Sequence, residues 1–177
     1  MPDKLFVVEK GKHYSKKWWI PSFTFKRKIN FTVKFNSDFY YKVPSRYIKD
    51  TNKIFGISDG YHHHRHSVRL GCRKLGDIVE FRIYYYLDGK HYSDLCYAVL
   101  ASELKKSYNG SIEIKRNQYV FKFANTTTMI MRTSWWFGPR YLLFPYFGDK
   151  TKQGTAPPFN IHMRIKWGYK DMVSKVS

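Results

Sequence analysis

From Ser22 to Asn36 the chain alternates almost without interruption. Phe23, Phe25, Ile29, Phe31, Val33 and Phe35 fall on one face, while Lys26, Lys28, Lys34 and their polar neighbours fall on the other. Only Arg27 breaks the pattern. A period of two with one apolar and one polar face predicts an antiparallel strand with a dry side and a wet side. The stretch is longer than most strands, so a bend or bulge is expected near Arg27.

A second period-two pattern runs from Asp77 to Leu100 around Asp88-Gly89. That dipeptide suits a two-residue type I′ turn, whose central residues take positive φ. Val79, Phe81, Ile83, Tyr85 and Leu87 share one face. Glu80, Arg82, Tyr84 and Tyr86 share the other. The returning half is apolar on both faces, which predicts a hairpin buried on both sides at its base. An isolated hairpin is marginal in water, so other strands must cover it.

Further strands are expected at Leu5 to Val8, Phe39 to Val43, Val68 to Cys72, Ile112 to Lys115, Tyr119 to Phe123, Thr126 to Arg132, Tyr141 to Phe147 and Phe159 to Trp167. In the last, Ile161, Met163, Ile165 and Trp167 point inward, and His162, Arg164 and Lys166 outward. Pro44 to Thr51 could form one helical turn. Ser102 to Lys106 is the best helix candidate, capped by Ser102 and stopped at Asn109-Gly110. About nine or ten short strands with at most one short helix predict an all-β chain. Its expected architecture is a single antiparallel two-sheet sandwich domain of jelly-roll type over residues 1–177, with a closed barrel as the alternative. A basic aromatic arm or loop, about residues 10–21, would carry Trp18 and Trp19.

Composition sharpens the choice of partner. Lys and Arg number 32 against 13 for Asp and Glu, a formal charge of +19, and hydrophobic residues make up 43% of the 177. The apolar content excludes a disordered chain. The charge favours an acidic partner: another protein subunit in an oligomer, DNA or another polyanion. Abundant Lys, Tyr, Phe, Ile and Asn also fit the codon bias of an AT-rich genome. No run is long enough to span a bilayer and no secretory signal is evident, so the expected location is the cytoplasm of the producing cell or a virion assembled there. Cys72 and Cys96 are expected to be buried thiols in a reduced compartment.

Little in the sequence carries chemistry. His62, His64 and His66 would share one face of a strand, and three imidazoles could hold zinc or nickel, but a polar loop is the expected outcome. No cofactor is expected. Arg69, His162, Tyr169 and Lys170 admit a polysaccharide-lyase reading, in which an arginine neutralises a uronate and His or Tyr moves a proton. Trp136 would then lie near the sugar. As a structural residue, Arg69 would instead tie a loop through charged hydrogen bonds. Gly56, Gly60 and Gly148 are read as turn glycines.

Two stretches carry a resemblance. One runs from Phe55-Gly56-Ile57-Ser58-Asp59-Gly60 through His64, Ser67, Arg69 and Gly71. The other is Leu143-Phe144-Pro145-Tyr146-Phe147-Gly148, followed by Ala156-Pro157. Together they resemble a group of jelly-roll β-sandwich proteins of gut Bacteroidetes and their crAss-like tailed phages. Asp149 and Pro158 depart from that group's pattern. The resemblance implies a sandwich fold and a viral origin, and assigns no catalytic residue. Three readings follow. The first is a non-enzymatic binding protein, a structural or adaptor component of a phage particle, with Trp18, Trp19, Lys26, Lys28, Lys34, Arg164 and Lys166 at its contacts. The second is a carbohydrate-binding or carbohydrate-cleaving jelly roll using Arg69, Trp136 and His162. The third is a nucleic-acid-binding protein.

Overall fold

The computed structural model describes residues 2–15, 22–35, 41, 51–104, 107–149, 151 and 154–169. Within them lie twelve strands and a single 3-10 turn, at Ala101–Glu103. In chain order the strands are β1 (Asp3–Val8), β2 (Phe23–Thr24), β3 (Lys28–Phe35), β4 (Asn52–Asp59), β5 (Ser67–Leu75) and β6 (Ile78–Leu87). They continue with β7 (Lys90–Leu100), β8 (Ser107–Ile114), β9 (Gln118–Phe123), β10 (Thr126–Met131), β11 (Arg140–Leu143) and β12 (Ile161–Gly168). They form two six-stranded antiparallel sheets. The first is ordered β1-β12-β3-β8-β9-β10 and the second β2-β11-β4-β5-β6-β7. The chain is an all-β sandwich of jelly-roll type.

Alternation builds the core. Ile29, Phe31, Val33 and Phe35 from the first sheet meet Val68, Leu70, Val79, Phe81 and Ile83 from the second, all buried. Phe81 sits at the centre, its ring 4.9 Å from Phe123, 5.0 Å from Tyr108 and 5.8 Å from Phe35. Burying a phenylalanine side chain fully contributes about 1.5–3 kcal/mol. Cys72 and Cys96 are free and buried, and burial pushes both thiols up, Cys96 to about 11.

The long alternating stretch is not one strand. It breaks at Phe25 to Arg27 and crosses from the second sheet, as β2, to the first, as β3. Phe23 and Phe25, expected on the dry face, are therefore mostly exposed. The central hairpin forms as expected, with Asp88 at φ 49° and Gly89 at φ 84°. Its return strand β7 is an edge strand, however. Leu95 and Leu100 are exposed, so the base is not buried on both sides. The helix expected from Ser102 shrinks to one 3-10 turn, and Asn109-Gly110 lies inside β8. Phe39 to Val43, Pro44 to Thr51 and the arm carrying Trp18 and Trp19 fall largely or wholly outside the described residues.

β4 was not expected as a strand. Its register slips between Lys53 and Phe55, and both Ile54 and Phe55 are fully buried. Gly56 is thus a strand residue, not a turn residue. Gly60 and Gly148 do take positive φ, at 77° and 70°.

Candidate ligand-binding face

On β5, Val68 and Leu70 point into the core, so Arg69 points out of the second sheet. Two tight turns set its neighbours. Gly76-Asp77 joins β5 to β6 and pairs Arg69 with Tyr84, while Asp88-Gly89 joins β6 to β7 and pairs Tyr84 with Ser93. On its other side Arg69 faces Gly56 of β4. A Cβ at Gly56 would stand 2.7 Å from Arg69 Cγ and 2.2 Å from the Val68 carbonyl oxygen. The missing side chain gives Arg69 room to lie against the sheet.

Tyrosines and cations surround it. The Tyr84 and Tyr86 hydroxyls are 3.2 Å apart. Lys53 Nζ stands 4.7 Å from the Tyr84 ring centroid and 5.8 Å from that of Tyr146. His91 stacks on Tyr84 at 5.9 Å, and His64 meets Tyr86 edge-on at 5.1 Å. Further along the face, Arg82 Nε donates to Ser93 Oγ at 2.8 Å, and Glu80 accepts from both Arg73 and Arg82.

The electrostatics are one-sided. Arg69 is only 9% exposed, yet its Nε has no hydrogen-bond partner and no carboxylate among the described residues pairs with it. Burial pulls its pKa down to about 10, and the neighbouring Tyr84, Tyr86 and Tyr146 offset part of that. Burial and the Arg69 charge also hold His63 down to about 4 and lower His64. These imidazoles are neutral at pH 7. The face offers a buried guanidinium, an ammonium, tyrosine hydroxyls and neutral imidazoles, groups whose chemistry suits an anion together with hydroxyl groups.

The other expected site residues lie elsewhere. His162, on β12 of the first sheet, points out on the opposite side of the sandwich, so the core separates it from Arg69. The pairing that a lyase reading needs is absent. Trp136 is also apart, packed against Gly60 at one end of the sandwich. Lys28, Lys34, Arg164 and Lys166 do share the outer face of the first sheet, where Arg164 sits directly opposite Lys34; Lys26 is exposed just before β3. His62, His64 and His66 belong to the loop between β4 and β5 rather than to a strand, and His66 Nε2 lies 3.5 Å from Asp88. Among the described residues no group of three His, Cys, Asp or Glu is placed to hold a metal ion. Tyr169 is exposed, and Lys170 lies outside the described residues. Among the described residues Arg69 Nε donates no hydrogen bond to a loop. Lys53, Gly56 and Tyr146 were not foreseen, because only long-range pairing brings them to Arg69. Among the described residues no helix is long and apolar enough to cross a membrane.

No family model matches the chain, and no curated protein matches it. Solved structures do. A mixed-linkage glucan GH16 protein of Bacteroides ovatus, in complex with product, aligns at TM-score 0.52 and 15% identity, over 92% of this chain and 78% of that one. The alginate lyase Aly36B, in complex with alginate tetrasaccharide, aligns at 0.54 and 13%, over 92% and 77%. The PL7 alginate lyase AlyA1 of Zobellia galactanivorans aligns at 0.51 and 13%, over 94% and 65%. At these identities the likeness is one of fold.

Proposed function

We propose that this chain is a carbohydrate-binding β-sandwich that takes an acidic glycan on the outer face of its second sheet, with Arg69 receiving the carboxylate or sulfate. One observation carries the reading. Among the described residues Arg69 is a buried cation without a counter-ion, and such a group is stable in place only if the gain from a partner offsets its desolvation. Tyr84, Tyr86 and Tyr146 supply the hydroxyls and apolar ring surface that a sugar requires. The sandwich is also the fold of the Bacteroides ovatus mixed-linkage glucan GH16 protein and the two alginate lyases, which supports a glycan over other anions by analogy.

The test is a binding screen of the whole chain against polyuronates, sulfated glycans and neutral β-glucan, followed by calorimetry. Acidic glycans should bind, neutral glucan at least tenfold more weakly, and Arg69→Ala should lose at least tenfold in affinity for the acidic ligand. Silence across the screen, or unchanged affinity in Arg69→Ala, overturns the reading.

A second reading uses the opposite side of the molecule. The outer face of the first sheet carries Lys34, Arg164 and Lys166, with Arg164 directly opposite Lys34 and 3.7 Å from the single carboxylate of Asp3, so the positive charge there is in excess. That face suits an acidic protein neighbour or DNA in a phage particle. Its mark is an affinity that falls steeply with salt.

A further inference from the structure

A second concentration of charge lies at the end of the sandwich where β4, β8 and β10 finish and β3, β9 and β11 begin. A cleft of about 290 Å³ opens there, lined by Arg27, Arg116, Arg132, Arg140, Trp135 and Phe137, among others. At its base is Asp59, whose side chain is fully buried. Its carboxylate accepts from the Tyr119 hydroxyl at 2.6 Å and from Arg132 Nε at 2.7 Å, and stands 3.3 Å from Arg140 Nε. Two buried guanidiniums thus face one carboxylate, and the base keeps a net positive charge.

The two arginines are not held equally. Arg132 also donates to the carbonyls of Arg116 and Trp136, each at 3.0 Å. Arg140 is 5% exposed, but among the described residues its Nε makes no hydrogen bond of good geometry, and its Nη1 donates to the Phe25 carbonyl at 3.5 Å. At the mouth, Arg27 and Arg116 are exposed, as are Trp135 and Phe137 at 75% and 76%. Trp136 braces this loop through its Nε1 donation to the Pro139 carbonyl.

We infer that this cleft is a second subsite for the acidic glycan, in which Arg27, Arg116 and Arg140 meet an anionic group and the Trp135 ring packs against the sugar. The inference rests on the glycan reading of the Arg69 face and extends it. Asp59, at the base of the cleft, ends β4 three residues beyond Gly56, the residue opposite Arg69. At the rise of a strand this places the two sites roughly 10 Å apart along β4, a distance a short oligosaccharide spans. Engaging both at once makes the second contact intramolecular, so affinity should climb with chain length. A nucleic-acid strand fits less well, because its evenly spaced phosphates call for cations in series, whereas these surround a single cleft.

The experiment compares uronate disaccharide and hexasaccharide on the wild-type chain, Trp135→Ala, Arg116→Ala and Arg69→Ala, by calorimetry and tryptophan fluorescence. Melting temperature confirms that each variant folds. The wild type should bind hexasaccharide at least tenfold more tightly than disaccharide. Trp135→Ala and Arg116→Ala should abolish that length advantage while leaving disaccharide affinity within about twofold. A length advantage that survives both substitutions overturns the inference. So does tight binding of a single-stranded oligothymidylate that Trp135→Ala abolishes, with no glycan bound. Glycan binding that is lost in Trp135→Ala but indifferent to Arg69→Ala overturns the Arg69 reading and supports the cleft.

Discussion

The glycan reading makes an unusual demand on Arg69→Met: the variant should be more stable than the wild type and should bind acidic glycan at least tenfold more weakly. An arginine that serves the fold is held by partners, and removing it destabilises. An arginine that waits for a ligand is a liability in the free protein. Burial brings the Arg69 guanidinium down to about 10. Measured from the ordinary arginine value, that is roughly 3 kcal/mol against the charged form. The sign is fixed: a base whose folded value is depressed suffers the full penalty at every pH below about 10 and escapes it only in alkali. Neutral-pH melting therefore reads the whole cost. Methionine keeps most of the volume and packs flexibly among Tyr84, Tyr86 and Tyr146.

Allowing for the lost attraction between the Arg69 charge and those tyrosines, the expected gain is about 2 kcal/mol, or about 4–8 °C for a chain of this size. The assay is thermal and urea unfolding at pH 7 in a chloride buffer, since phosphate or sulfate could occupy the site. Arg69→Lys, which retains the charge, should show no gain. Added acidic oligosaccharide should raise the melting temperature of the wild type and leave that of Arg69→Met unchanged. A fall of several degrees in Arg69→Met would refute the reasoning, because it would mean that the guanidinium is satisfied within the fold.

Two other substitutions probe the same face. Gly56→Ala places a Cβ 2.2 Å from the Val68 carbonyl oxygen and 2.6 Å from Arg69 Cα; the backbones must part, so a loss of about 1–3 kcal/mol in urea unfolding should accompany weaker glycan binding. His63 is held neutral down to about pH 4 in the folded chain, while an unfolded histidine takes up its proton near pH 6.5. Stability should therefore fall as pH drops from about 6.5 to 4, and His63→Gln should flatten that slope in melting curves.

What the sequence disclosed depended on how far a contact reached along the chain. The two-residue turns at Asp88-Gly89 and Gly76-Asp77 are local, and together they set the row Arg69, Tyr84, Ser93 across three strands. That row could have been read by counting residues back from the turns. The sheet switch between Phe25 and Arg27 could not, because either sheet satisfies the same alternation and only the Arg27 mismatch marks the crossing. β4 was hidden by its bulge, which disrupts the period of two that announces a strand. Tyr146 reaches the site from a loop after β11, where it bridges to Lys53. Asp59 drew no role from the sequence, yet it is the buried acid on which Tyr119, Arg132 and Arg140 converge.

The positive charge itself can now be divided by location. Compositional drift adds lysines where they cost nothing, on solvated faces such as that of Lys34 and Lys166. It does not bury arginines. Among the described residues Arg69, Arg132 and Arg140 are each at least nine-tenths buried, and Asp59 is the one acid buried with them. Every such guanidinium without its own carboxylate costs the fold several kcal/mol. A marginally stable domain carries two uncompensated charges of this kind only where something outside it is taken up. They fall at the two places where exposed or half-buried aromatic rings also gather, the Tyr84 face and the Trp135 cleft. Charge and ring surface in the same two places are what a ligand with both an anionic group and a saccharide ring requires, and neither feature alone would select it.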